Sequence, residues 1–197
     1  MNFSETLRTK THTSHKKAEG CDLMKSFMDL TIADNPYHYY IYLEAFGKIY
    51  TTLENKLSSM PFYFPQLNRA EALERDLIYF KKFILSIDRP EITLNALTRY
   101  VTHIEEADEL TLIAHSYVRY LGDLSGGFII QKRIKAAFNL TDQGFDFYVF
   151  NISDPIAFKN MYKLKLNDMN LDLNKFIDVC NDVFELNYSL FVEISQL

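Results

Sequence analysis

Tyr117-Val118-Arg119-Tyr120-Leu121-Gly122-Asp123-Leu124-Ser125-Gly126-Gly127 holds three of the chain's six glycines within six residues. The flanking sequence is patterned as helix. From about Asp108, the apolar residues Ile113, Tyr117 and Leu121 recur at steps of four, and the pattern resumes to about Phe138. A glycine inside a helix costs roughly 0.5–1 kcal/mol relative to alanine, so three together require a reason. One reason is structural: a kink, or a boundary between two helices with Asp123 or Ser125 as the N-cap of the second. The other is functional: side chains are absent because something flat must touch the backbone. The stretch alone supports both.

Working outward, the helical period continues on either side. About Ser4 to Glu19 places Leu7, Thr11, His15 and Ala18 on one face. Asn35-Pro36 opens a long helix carrying Tyr39, Tyr42, Leu43, Phe46, Ile49, Tyr50 and Leu53. Pro61 and Pro65 bracket a non-helical loop. A third helix is expected from about Asn68 to Ser86, ending before Asp88-Arg89-Pro90, and a fourth from near Thr93 with Leu97, Tyr100, Val101 and Ile104. Thr141 to Ser153 reads as irregular, with an extended stretch at FDFYVF. Asp154 before Pro155 is an N-cap with proline in the first turn, opening a helix to about Met169. A last helix spans about Leu173 to Ser195. The expected fold is all-α, in a single domain over 1–197.

Composition narrows the function. Sixteen Phe and 13 Tyr against only six Gly and five Pro exclude a disordered chain. A net charge of −5 argues against a non-specific nucleic-acid binder, so no nucleic-acid partner is expected. Cys21 and Cys180 are far apart and belong to no C-x-x-C, which suits two reduced, buried thiols in a cytoplasmic protein. The N-terminus is polar, unlike a signal peptide, and no segment approaches the ~18 consecutive apolar residues of a membrane span. The final segment keeps Glu185 and Glu193, unlike a tail anchor. No membrane partner is expected.

Three groups of residues could carry chemistry. Asp123 is either a cap or ion-pair partner of Arg119, four residues back, or a carboxylate held over a ligand to organise water. Of five histidines, His12-x-x-His15 with Glu19 four further on suggests a ligand helix. A closed structural zinc site would need four ligands, and no cysteine or second histidine pair is near. A di-iron bundle would need two Glu-x-x-His motifs, and none occurs. Glu19 suits a different role, accepting the ring N–H of His15 and fixing its tautomer. Lys159 and Lys163, one turn apart around Tyr162, and Arg8 and Lys10 before His15, are either solvated or a clamp for ligand carboxylates.

YVRYLGDLSGG together with THTSHKKAE resembles the biliverdin-forming heme oxygenase family. The likeness covers essentially the whole chain, since FKNMYKLKLN at 158–167 and VFELNYSLFVEI at 183–194 match the family's late helices in order and spacing. The resemblance implies heme b, both cofactor and substrate, held between a proximal helix and a kinked distal helix. It implies cleavage to biliverdin, carbon monoxide and ferrous iron, using dioxygen and electrons from an external reductase. It assigns His15 as iron ligand, so the metal residue, with Glu19 beside it. Gly122, Gly126 and Gly127 become the distal glycines that touch the porphyrin. Asp123 becomes the anchor of a distal water network with Tyr50, Arg119, Tyr100 and Asn187. Lys159, Lys163, Tyr117 and Arg8 become propionate contacts, and Phe184 and Phe191 pocket wall. His115 resembles a non-ligating histidine of the family. Two departures stand out: Phe128 follows the glycines where glutamine is frequent, and His12 stands where a basic propionate contact is expected.

Lys16, Lys17, Lys132, Arg133 and Lys135 form local basic clusters beside the two heme helices, either solvated surface or a docking face for an acidic electron donor such as a ferredoxin, flavodoxin or flavin reductase; a monomeric state is expected. A heme storage or delivery protein on the same fold is the alternative. Intact Asp123, Arg119 and glycines argue against it. A thiamin-type hydrolase on a similar scaffold would want a pocket cysteine in a motif, which neither cysteine provides.

Overall fold

The computed structural model describes residues 3–85 and 92–197, and among these every regular element is helical. In chain order they are α1 (Phe3–Lys10), α2 (His12–Glu19), α3 (Asp22–Met28), α4 (Pro36–Leu57), α5 (Ala70–Phe80), α6 (Asn95–Glu105), α7 (Glu109–Phe138), α8 (Pro155–Asn167) and α9 (Leu173–Ser195). Short 3-10 turns join several of them, including Asp146–Tyr148. The expected stop at Ser86 and Asp88–Pro90 lies outside the described residues.

Boundaries follow local chemistry. Asp154 accepts from the N–H groups of Ile156 and Ala157, and Pro155 occupies the first turn of α8. Asp172 and Asp108 cap α9 and α7 in the same way. Two further helix starts borrow a carboxylate from a neighbour. Glu193 of α9 accepts from Asn95 and Ala96, and Glu54 of α4 accepts from Arg69 and Ala70. Each carboxylate meets donors that a helix start leaves unpaired.

Three sequence expectations change. The first helix is two, because the turn at Thr11 parts α1 from α2 while its hydroxyl donates to Leu7 O at 2.9 Å. FDFYVF is not extended: Asp146–Tyr148 is a 3-10 turn. The glycine stretch is no helix boundary. α7 runs unbroken for 30 residues, with Asp123 and Ser125 in its interior rather than at a cap.

One buried core threads all the major helices, rich in tyrosine and phenylalanine from α4. α9 is its hub, touching α1, α2, α3, α4, α6 and α7. α2 packs mainly on α9, and α7 packs on the same helix. The two therefore stand as walls on a common floor.

The loop behind α7 is pinned from α5. Asp76, 1% exposed, accepts from the N–H groups of Asp146 and Phe147 at 2.9 and 2.8 Å. Burial pushes its carboxyl up to about 6 against these two bonds. Gly144, at φ +86°, makes the preceding turn, where a Cβ would lie 2.6 Å from the Tyr79 ring. So held, Phe147 packs on Tyr50 and Phe46, and Tyr148 receives a hydrogen bond from Tyr39.

Candidate active site

Between the two walls lies an open cleft, lined from α2 by His15, Ala18 and Glu19, from α7 by Val118, Arg119, Gly122, Asp123, Gly126 and Ile130, and from α9 by Phe184, Asn187 and Phe191. Met24 of α3 and Tyr42 of α4 complete it. The His15 side chain is 42% exposed and stands edge-on to Phe184, with ring centroids 5.3 Å apart. Glu19 Oε1 lies 3.5 Å from His15 Nε2, within ion-pair range but long for a hydrogen bond. Opposite, a Cβ built on Gly122 or Gly126 would meet nothing within 4 Å. These two glycines are therefore not required by packing within the protein. They leave a flat, side-chain-free strip facing the histidine wall, which is what a planar ligand needs.

Behind the strip is a polar network in an otherwise apolar core. Asp123 accepts from Arg119 Nη2 at 2.8 Å and from the Tyr50 hydroxyl. Asn187 Oδ1 accepts from Arg119 Nη1 at 2.5 Å and from Tyr100 at 3.4 Å, while its amide donates to Val183 O. Arg119 and Asn187 are buried, and Asp123 keeps a small opening to the cleft. Burial works against the Arg119 charge, but Asp123 and the surrounding tyrosines outweigh it and hold the guanidinium well above its ordinary value. Burial, reinforced by Asp123, raises the Tyr50 hydroxyl well above its usual range, and burial pushes Tyr100 up to about 12. Both stay protonated as donors. The network thus presents a fixed cation and fixed donors behind one carboxylate at the cleft edge. Arg119 also stacks over the Phe46 ring at 4.5 Å.

Other candidates sit differently. Tyr50 and Tyr100 are fully buried behind the cleft and reach it only through Asp123 and Asn187. Gly127 faces away: a Cβ there would meet Tyr148 at 3.6 Å, so it seats α7 on the pinned loop. Lys159 reaches Ser125 of α7 at 3.4 Å, which brings α8 to the cleft end of the glycine strip. Lys163 lies one turn further on the same helix, half-buried. Tyr117 packs on Phe176, outside the cleft lining, with Arg8 close enough to affect its hydroxyl. Arg8 and His12 are exposed on α1 and α2. His115 is fully buried beside His103 and away from the cleft. Among the described residues there is no cluster of His, Cys, Asp and Glu that could hold a metal ion.

Sequence reasoning missed Met24, Tyr42, Val118 and Ile130. Tyr42 shares the 3.6-residue period of the core face of α4, so no pattern separates a pocket wall from core. Met24 lies on α3, a seven-residue helix too short to announce itself by periodicity.

A model of the heme oxygenase family matches residues 1–193. Heme oxygenase 1 of Synechocystis sp. is 36% identical over 98% of this chain and 85% of its own length. The heme oxygenase of the alga Guillardia theta is 35% identical, over 99% and 87%. The crystal structure of Synechocystis heme oxygenase-1 in complex with heme superposes with a TM-score of 0.85 at 34% identity, covering 100% of this chain and 93% of that one. Heme oxygenase from Leptospira interrogans gives 0.87 at 34%, over 98% and 100%. The chain belongs to the heme oxygenase family. It is an enzyme of that class, which cleaves heme to biliverdin, carbon monoxide and iron. No described helix is long and apolar enough to cross a membrane.

The open strip yields a prediction with two opposite signs. Gly126→Ala should stabilise the heme-free chain by about 0.5–1 kcal/mol through helix propensity, since the new methyl meets nothing. That is a rise of roughly 1–4 °C in melting temperature for a chain this size. The same methyl intrudes where a flat ligand would lie, so hemin affinity should fall by about tenfold, the scale of overpacking a fitted site. Melting of the heme-free protein and hemin titration check the two halves.

Proposed function

We propose that this chain holds heme between His15 and the Gly122–Gly126 strip and converts it with dioxygen and external electrons, Asp123 directing the oxidation. The observation that carries the reading is the facing pair itself: one half-exposed imidazole opposite a side-chain-free helix surface backed by a buried Arg119–Asp123 pair. When bound, heme supplies the iron that takes up dioxygen and the ring carbon that is oxidised.

The protein's own part is positional and electrostatic. His15 offers a neutral imidazole as iron ligand, and its other ring nitrogen is then available to Glu19, which orients the ring. Gly122 and Gly126 admit the macrocycle close to the backbone of α7 and restrict space above it. Asp123, already accepting from Arg119 and Tyr50, holds water at the cleft edge through its remaining lone pairs and delivers protons from there. Arg119 and Asn187 keep that carboxylate in one place. Lys159 and Lys163, with Arg8 and Tyr117 further out, supply positive charge and a hydroxyl for the ligand's carboxylates. Phe184 and Phe191 shape the floor.

The test is turnover of the heme complex with ascorbate or a reductase, followed by identification of the product. A bilin supports the reading. Unchanged heme under reductant and oxygen supports storage or delivery instead.

An acidic electron donor in the cytoplasm fits the basic residues beside the two walls. Lys17 is bound to Glu185 and lies over the Tyr188 ring, so its charge is largely neutralised. Lys132 and Arg133, exposed on α7, are the freer pair. Lys132→Glu with Arg133→Glu should slow reductase-driven turnover by about tenfold at low salt, with the defect shrinking as salt rises. Ascorbate-driven turnover should be unchanged. Equal loss in both assays would place the damage at the heme site.

A further inference from the structure

Three polar atoms buried in α7 have no hydrogen-bond partner among the described residues: His115 Nδ1, Arg119 Nε and the Tyr120 hydroxyl. The first two belong to residues four apart, on one face of one helix, and the residues are 0% and 7% exposed. Leaving a buried polar atom unmet costs about 1–3 kcal/mol, and proteins meet such pairs with an internal water. Tyr100 closes the space on a third side, its ring 5.5 Å from the His115 ring and its hydroxyl on Asn187.

We propose that one buried water links Arg119 Nε to His115 Nδ1 and makes His115 a positioning residue for the Arg119–Asp123 pair. Arg119 Nε always carries a hydrogen and donates to the water. In this bridge the water in turn donates to His115 Nδ1, which is then bare. Burial, reinforced by the Arg119 charge, pushes His115 down to about 3, so the ring is neutral and carries its one proton on Nε2. That proton is donated to His103 Nδ1 at 2.8 Å. His103 then keeps its own proton on Nε2, on the partly exposed side of α6.

The consequence reaches the cleft. Arg119 already grips Asp123 and Asn187 through its two terminal nitrogens. A third anchor at Nε stops the guanidinium from swinging about its stem, and so fixes the Asp123 oxygen it holds. The effect on turnover rests on the heme oxygenase reading; the bridge itself does not.

Two variants separate the parts of the chain. Asparagine at 115 puts an oxygen near the place of Nδ1 and loses the reach to His103. Glutamine reaches the place of Nε2 and loses the acceptor at Nδ1. In heme-free, 15N-labelled wild-type protein at neutral pH, His115 should be the Nε2–H tautomer. Its Arg119 Nε–H should exchange with solvent about tenfold more slowly than in His115→Gln, the scale of one charge-assisted hydrogen bond. His115→Asn should keep that protection. With heme, His115→Gln should lose turnover several-fold at unchanged hemin affinity, and His115→Asn should retain it. An Nδ1–H tautomer in the wild type, which needs no variant to fold, would overturn the bridge. So would equal Arg119 exchange in all three proteins. If the bridge is seen and no protein makes bilin, the functional reading fails instead.

Discussion

His15→Ala will bind hemin without the nitrogen-ligated spectrum of the wild type, and added imidazole will restore it. The histidine stands at the cleft edge of α2, and neither His12, exposed on the same helix, nor the buried His115 lines the cleft. Outer partners of a metal ligand are typically worth 10–100-fold, so removing the ligand itself should lower bilin formation by more than about a hundredfold. The fold should be unaffected, because the imidazole's contacts are one exposed carboxylate and the edge of Phe184. An unchanged spectrum in His15→Ala, with loss in His12→Ala, would move the ligand by one turn.

Asp123→Asn gives the second large effect, at the step after binding. The amide keeps one oxygen for Arg119, while its NH2 group faces the Tyr50 hydroxyl, which must turn to accept; the buried guanidinium retains a partner and hemin affinity should stay near wild type. It cannot take up and release a proton in the same way. General acid–base groups contribute about 10²–10⁴-fold, so bilin yield should fall by roughly a hundredfold. Asp123→Ala is a harsher change. It strands the Arg119 charge, and breaking a buried pair from one side costs about 3–5 kcal/mol, less here for the opening to the cleft. Loss of activity should then come with a lower melting temperature, and the drop should be smaller in the asparagine variant, which keeps a polar partner for the guanidinium. Wild-type bilin yield in both would remove Asp123 from the mechanism and leave the glycine strip alone to direct the oxidation.

Much of this was legible before any coordinates. The start near Asp108, the cap at Asp154, the proline of α8 and the long period of α4 are local signals, and each names its helix correctly. Gly122, Asp123 and Gly126 stood out because they violate helix propensity, and the violation is real: packing within the protein does not call for glycine at the first and last of these. Gly127 violates the same rule for another reason, the close seat on Tyr148, and sequence could not tell the two apart. The helix boundary expected there failed because propensity is a small term. A few kcal/mol of glycine penalty does not break α7 when residues on both sides are buried against α9. Long-range polar contacts were the least legible. Nothing local says that Asn187 will meet Arg119, or that Asp76 will hold a loop 70 residues later.

The two walls of the cleft are anchored very unequally. α2 buries a single residue, Ala18, and is tied to α9 by the Ser14–Asn181 and Lys17–Glu185 bonds. α7 buries twelve residues along its length and is locked by the Arg119–Asn187 bond. Local opening free energies in a protein follow such differences. The histidine wall can therefore lift at the cost of one half-buried and one exposed polar contact and two ring contacts, His15–Phe184 and Lys17–Tyr188, far less than the glycine wall would lose. A rigid flat substrate can be admitted, and a ring-opened product let go, by the movement of eight residues, without disturbing Asp123 on the opposite wall.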